Sequence, residues 1–179
     1  LDRLPTPPAQ EEGELLVFTA DGKGVPLVKA DVPRVPAFDK AQRPGNRRMA
    51  TLAAVYTIDR YERTAEDIVA ALFRDDTRPR RPDRPRPRFK HVTARFTQRR
   101  TEPDGETWES NGTLDAFCWA EAQIIARRRA GQKVLWLMDG QASLWDAADN
   151  CLSVPPEDTV EILDILHVSS YVWRAATAF

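Results

Sequence analysis

The 179-residue chain is poor in the residues that build cross-links, metal cages and proton relays. It has two cysteines, Cys118 and Cys151, and two histidines, His91 and His167. The cysteines are far apart in sequence with no CxxC partner, which argues against a zinc ribbon or a disulfide framework and for a reducing, cytoplasmic setting. No Ser-His-Asp or Cys-His constellation for nucleophilic catalysis stands out. No stretch approaches the ~18 apolar residues of a membrane span, and no charged-then-apolar leader is present. The glycines at Asp21-Gly22-Lys23-Gly24 lack the spacing and the following helix of a phosphate-binding loop. There is no internal repeat.

What remains is the composition of a globular domain, 42% hydrophobic and 30% charged. The length suits one domain with a real core and is short for two. Because the chain opens on Leu1 and stops at Phe179 inside an apolar, helix-like run, it reads as a piece of a longer protein.

Charge is unevenly spread. The formal net charge is −1, yet Thr77 to Arg100 reads TRPRRPDRPRPRFKHVTARFTQRR, with ten Lys or Arg residues against the single acid Asp83. Pro79, Pro82, Pro85 and Pro87 remove backbone donors, so this tract is expected to be extended and solvated, not a helix or an inner strand. Arg78, Arg80, Arg81, Arg84, Arg86, Arg88 and Lys90 are its candidate DNA contacts, since clustered cations release counterions on meeting a phosphate backbone. A charged loop that only keeps the protein soluble would look the same. His91 reads as exposed polar surface within the tract, and Lys40, Arg43, Arg47 and Arg48 form a second, weaker basic group.

Residues 1–13 read as a linker and 14–179 as one domain, with a basic insertion at about 75–100. Glu14–Ala20 (ELLVFTA) is a strand, Asp21–Gly24 a turn, and Val25–Lys29 the returning arm of a hairpin. Met49–Ile58 is a third strand. Thr64 caps a short helix with Glu66 and Asp67 in its first turn. Leu114–Arg129 is a helix with Leu114, Phe117, Cys118, Ala122, Ile125 and Ala126 on its buried face and Gly131 as its stop. Lys133–Met138 is a strand, Gln141–Leu152 a helix, Thr159–His167 a strand, and a last helix opens at Val168. Trp119 and Trp136 are expected in the core. The order predicts an α/β fold: a mixed sheet of an antiparallel hairpin plus a third strand, then parallel strands, flanked by helices on both faces.

Two aspartates share a position. Asp21 in VFTADGKG and Asp139 in LWLMDG each follow an apolar strand and precede glycine. Ligand sites in α/β sheets collect at the carboxyl ends of strands. Two carboxylates brought together there repel, and a hard divalent cation such as Mg2+ or Mn2+ removes that cost. A two-metal site demands side chains within roughly 4–8 Å of each other. Asp-Gly is also a plain turn dipeptide, and the alternative is that both pairs are only turns. Asp164 and His167, three residues apart, could share a metal or form a structural pair.

The segments VFTADGKGVPLVKA, RMATLAAVYTIDRYERTAEDIVAALF, VLWLMDGQASLW and VEILDILHVSSYVWRAA together resemble, in order, bacterial DDE-type insertion-sequence transposases of the Kra type, relatives of the Mutator-like group. The resemblance implies an RNase H-like catalytic core. It matches Asp21 and Asp139 to the first and second catalytic, metal-binding residues, and Asp164-x-x-His167 to a supporting motif. It implies Mg2+ or Mn2+, two ions in the complete enzyme, no small-molecule cofactor, and DNA ends and target DNA as partners; such enzymes often act as homodimers. The implied reaction is cleavage at the element's end followed by attack of the freed 3′-hydroxyl on target DNA. The third acidic residue, a Glu on a later helix, would lie past Phe179, so this fragment alone is expected to be inactive. Glu157 and Glu161 come too early for that role. Two alternatives stay open: another RNase H-like nuclease, or an inactive or repurposed DNA-binding remnant.

Overall fold

The computed structural model of the chain describes residues 5–36, 46–72 and 83–178. Strand β1 (Leu15–Pro26) runs through the middle of a five-stranded sheet. On one side it pairs antiparallel with β2 (Arg47–Ile58), from Leu15 opposite Ile58 to Pro26 opposite Arg47. Helix α1 (Ala65–Leu72) follows, and then β3 (Arg88–Phe96) pairs antiparallel with the outer side of β2. A small hairpin of β4 (Gln98–Thr101) and β5 (Thr107–Ser110) leads into helix α2 (Gly112–Arg127). The chain then crosses to β6 (Val134–Met138), which lies parallel to β1 on its other side. Helix α3 (Ala142–Cys151) carries it to β7 (Thr159–Leu163), parallel to β6, and α4 (Ile165–Ala176) closes the order. The strand order is therefore β3-β2-β1-β6-β7, a mixed sheet.

The core lies on one face of that sheet. Leu16, Phe18 and Ala20 alternate along β1 and meet Ala53 and Val55 of β2 and Val134, Trp136 and Met138 of β6. Ala116, Phe117, Ala120 and Ile124 of α2 and Leu144, Ala147 and Ala148 of α3 cover them. Phe18 and Phe117 pack edge to face at 5.1 Å between centroids. Burying each such large side chain contributes on the order of 1.5–3 kcal/mol. Gly112 lets α2 begin hard against β3, since a Cβ there would sit 2.4 Å from the Phe96 carbonyl carbon. Helices α1 and α4 contribute no buried residue, and Val92, Val160 and Ile162 on the other face of the sheet stay exposed. Among the described residues no helix is long and apolar enough to cross a membrane.

Several expectations hold: the α/β class with a mixed sheet, the strands near 15–20, 49–58 and 133–138, the helices at 65–72 and 142–151, and Trp119 and Trp136 in the core. Thr64 caps α1 reciprocally, its Oγ1 accepting from the Asp67 N–H at 3.1 Å while Asp67 accepts from the Thr64 N–H.

Others are corrected. Val25–Lys29 is not a returning arm: β1 runs straight through Asp21–Gly24, and its partner is β2. An extended strand edge offered twelve ladder positions from β2, and this outweighed the local turn preference of Asp-Gly. The third antiparallel strand is β3, drawn from the basic tract; pairing starts at Arg88, once Pro87 no longer removes a donor. The β4–β5 hairpin was not read from sequence at all. The buried face of α2 runs through Ala116, Phe117, Ala120, Ile124 and Arg127, whereas Leu114, Cys118 and Ile125 are exposed. Both faces of this helix carry apolar residues, so periodicity alone could select either. His91 is not simple surface, because its Nδ1 meets Gln123 Oε1 of α2 at 2.7 Å. Strand β7 ends at Leu163, and His167 belongs to the first turn of α4. Glu12 and Gly13, at the end of the expected linker, are buried against the body. Of the basic residues named above, Lys40, Arg43, Arg78, Arg80 and Arg81 lie outside the described residues.

Candidate metal centre

The parallel ladder of β1 with β6 ends at Ala20 opposite Met138. The next residues are Asp21 and Asp139, so the register itself sets them side by side at the carboxyl end of the sheet. The β6–β7 ladder ends at Met138 opposite Leu163, which brings Asp164 into the same row. Its N–H donates to the Met138 carbonyl at 2.8 Å. Three aspartates thus follow three neighbouring strands at one level.

Each is held differently. Asp21 is exposed and stays within β1, opposite Leu52 of β2. Asp139 is half-buried: its Oδ1 accepts from the Gln141 N–H at 2.9 Å, and its carbonyl accepts from Trp145 Nε1 at 2.7 Å. Because Trp145 packs on the core, this indole anchors the turn that carries Asp139. Asp164 is the N-cap of α4, its Oδ1 accepting from the Leu166 N–H at 2.9 Å. That cap starts the helix where its first turn returns His167 towards the row.

The outcome is a cluster of Asp21, Asp139 and His167, whose ligand atoms lie within 4.8 Å of one another. The two expected carboxylates therefore converge within the span that a metal site demands. Oxygens on opposite sides of one Mg2+ ion sit about 4.2 Å apart, so small side-chain shifts would bring this set onto a single ion. Two carboxylates and an imidazole also suit Mn2+. His167, not Asp164, offers the third ligand atom of this cluster; Asp164 Oδ2 lies 4.0 Å from His167 Nε2. The sequence expectation grouped both residues as a supporting motif; the structure places Asp164 as the cap of α4 and His167 in its first turn.

No family model, curated protein or solved structure matches this chain.

Those expected DNA contacts that are among the described residues fall elsewhere. Arg88 lies opposite Thr57, which in turn lies opposite Leu16, five residues below the Asp21 row. At about 3.3 Å per residue that is roughly 17 Å from the carboxylates. Arg88 is tied there to Asp59 and to the Glu11 carbonyl. Lys90 stands over the Tyr56 ring at 5.7 Å. Arg84 and Arg86 are exposed just ahead of them. In the weaker basic group, Arg47 is exposed, while Arg48 is buried and donates to the Val35 carbonyl at 2.7 Å. Among the described residues, Lys23 follows Asp21 by two positions on β1, and Arg95 lies near the row's level, opposite Thr51, itself opposite Gly22. The signal for Arg95 was the two-residue alternation after Pro87, which marks a strand continuing towards the carboxylate end.

Proposed function

We propose that this chain is part of a DDE-type transposase, carrying residues of its catalytic core and acting in metal-dependent DNA cleavage and strand transfer. The observation that carries the reading is the convergence of Asp21, Asp139 and His167 within 4.8 Å at the ends of adjacent strands. The strand order, three antiparallel strands followed by two parallel ones, supports an RNase H-like architecture.

The chemistry follows from the donors. Asp21 and Asp139 would hold Mg2+ or Mn2+, with His167 completing the set and Asp164 orienting it. When bound, the metal supplies Lewis acidity to a phosphodiester and lowers the pKa of water or of a 3′-hydroxyl. The chain's own part is to fix two negative charges on stiff strands, where they need not reorganise as the reaction proceeds. Among the described residues the cluster contains two carboxylates and one imidazole.

The test is Mn2+ binding followed by electron paramagnetic resonance, on the unaltered chain and on Asp21→Asn and Asp139→Asn. Each Asn keeps the side-chain shape and removes a charge, so affinity should fall at least about tenfold. Equal Mn2+ affinity in all three proteins would overturn the metal reading. DNA binding that ignores both Mn2+ and these substitutions would favour the remnant.

A further inference from the structure

We infer that a polar cleft beside the carboxylate row receives an unpaired nucleobase of the DNA strand being processed; this rests on the phosphodiester reading above. The cleft has a volume of about 730 Å3 and lies between the start of β2, the end of β3, the start of α2 and one side of α3. It begins one residue from one carboxylate and two from the other: Gly22 follows Asp21, and Gln141, whose N–H holds Asp139, lines it as well.

Strand alternation points Gly22 to the face covered by α2 and α3, and Asp21 to the opposite face. The two faces communicate around an open edge. Strand β1 continues to Pro26 against β2, while its ladder with β6 stops at Ala20. A strand whose phosphate lies at the carboxylates can therefore turn a neighbouring base over that edge into the cleft.

The lining fits a base better than a phosphate. Ser110, Thr113, Gln141, Ser143 and Asn150 present uncharged donors and acceptors. Among the described residues, Arg95 is the one cation lining the cleft; of the two acids there, Glu109 is paired with Arg99 and Asp146 opposes Arg95 in charge. A phosphate site needs an excess of positive charge. A base edge needs neutral amides and hydroxyls, together with an apolar surface for the ring, and the exposed side chains of Met49 and Leu114 supply that surface. Part of the polar set is already fixed: Gln141 Nε2 donates to Ser143 Oγ at 2.8 Å, and Thr51 and Thr113 share a hydroxyl hydrogen bond of 2.9 Å. The volume lies within the roughly 300–1,000 Å3 of small-ligand pockets, ample for a base removed from its stack.

The experiment compares the full chain's affinity for a short single-stranded oligodeoxynucleotide with that for the same strand made abasic, without divalent metal. The natural strand should bind about tenfold more tightly, and only it should shift the side-chain amide NMR signals of Gln141 and Asn150. Ser143→Trp, which fills the cleft from an exposed helix position, should remove the preference. Equal binding of the two strands, unmoved amide signals, or a folded S143W chain that keeps the preference would each overturn the inference. The amide signals of the unaltered chain decide the matter if S143W does not fold. A parallel Mn2+ titration separates the two readings. Metal binding without base preference removes the cleft alone, and base preference without metal binding removes the metal centre and leaves the cleft.

Discussion

At the Leu15 end of β1 charge is buried and paired; at the Asp21 end it is exposed and pooled. Glu12 and Arg127 meet through two hydrogen bonds of 2.8 and 2.9 Å, with side chains 3% and 1% exposed. Glu12 also accepts from Thr57 Oγ1 at 2.6 Å, and Arg127 donates to the carbonyls of Val55 and Phe89. Phe89 holds a left-handed backbone, φ 46°, which costs about 1–2 kcal/mol and is held in place by that carbonyl contact among others. Arg129 and Gln132 both donate to the Gly13 carbonyl, closing the network over the start of β1. At the other end, Asp21 and Asp139 lie within reach of each other with only a histidine completing the set. One end satisfies its charges internally and locks; at the other, among the described residues, two carboxylates and an imidazole share one small space. The lesson is that like residues serve stability or chemistry according to whether the fold supplies their partners.

The largest test of this contrast is Arg127→Met. It leaves the Glu12 carboxylate buried without its partner and should destabilise the fold by roughly 3–5 kcal/mol in urea unfolding. Mn2+ affinity of the folded molecules should not change. A loss below about 1 kcal/mol would mean that water or Arg129 replaces the guanidinium.

The same end sets a pH dependence. Burial pushes the Glu12 carboxyl up, but hydrogen bonds from Arg127 and Thr57 and the charges of Arg127 and Arg129 outweigh it and hold the group below the usual 4.5. A carboxylate depressed in the folded state contributes stability above its unfolded value, lost as pH falls through the folded one. Unfolding free energy should therefore decline below about pH 4.5, and that component of the decline should vanish in Glu12→Gln. An unchanged slope in Glu12→Gln would assign the acid sensitivity to other carboxylates.

At the open end, Mn2+ at a hundred times its dissociation constant should stabilise the chain by about 2.7 kcal/mol, read as a rise in melting temperature. Asp139→Asn, with its affinity at least tenfold lower, should cut that gain to about 1.4 kcal/mol or less. Without metal this variant should be as stable as the unaltered chain or slightly more so, because Asn keeps the acceptor for the Gln141 N–H and relieves repulsion. A clear loss of metal-free stability would make Asp139 a structural residue.

The smallest effect belongs to charge pairs in neither class. Arg99 meets Glu109 across the β4–β5 hairpin at 2.6 Å with both side chains about half exposed. Arg99→Ala should cost about 0.5 kcal/mol or less, and a larger loss would show that the hairpin is part of the cooperative body.

Much of this was legible in the residues themselves. The runs LLVFTA, MATLAAVYTI and VLWLM are apolar enough to be strands wherever the chain places them, and the Thr64 cap fixes the start of α1 within one turn. Asp21 and Asp139 stood out because each follows such a run, and that position remains the whole basis of the site. What the sequence could not choose was a partner. The turn-like Asp21–Gly24 looked like a hairpin locally, yet β1 finds a longer partner in β2, twenty residues beyond its end. The tract rich in proline and arginine hid β3 because strand pairing depends on a neighbour's free edge, which composition does not record. Helix α2 has two apolar faces, and only the sheet beneath it decides that Ala116, Phe117 and Ile124 go inward while Ile125 goes out. His167 joins the aspartates because β7 ends at Leu163 and Asp164 caps the next helix, a boundary shifted by a few residues from its sequence reading. The sequence by itself determined which segments are stiff and which acids sit at their ends. Register, the alignment of ladders from strands far apart in the chain, was decided only by the tertiary structure, and it is register that brings those acids into one row.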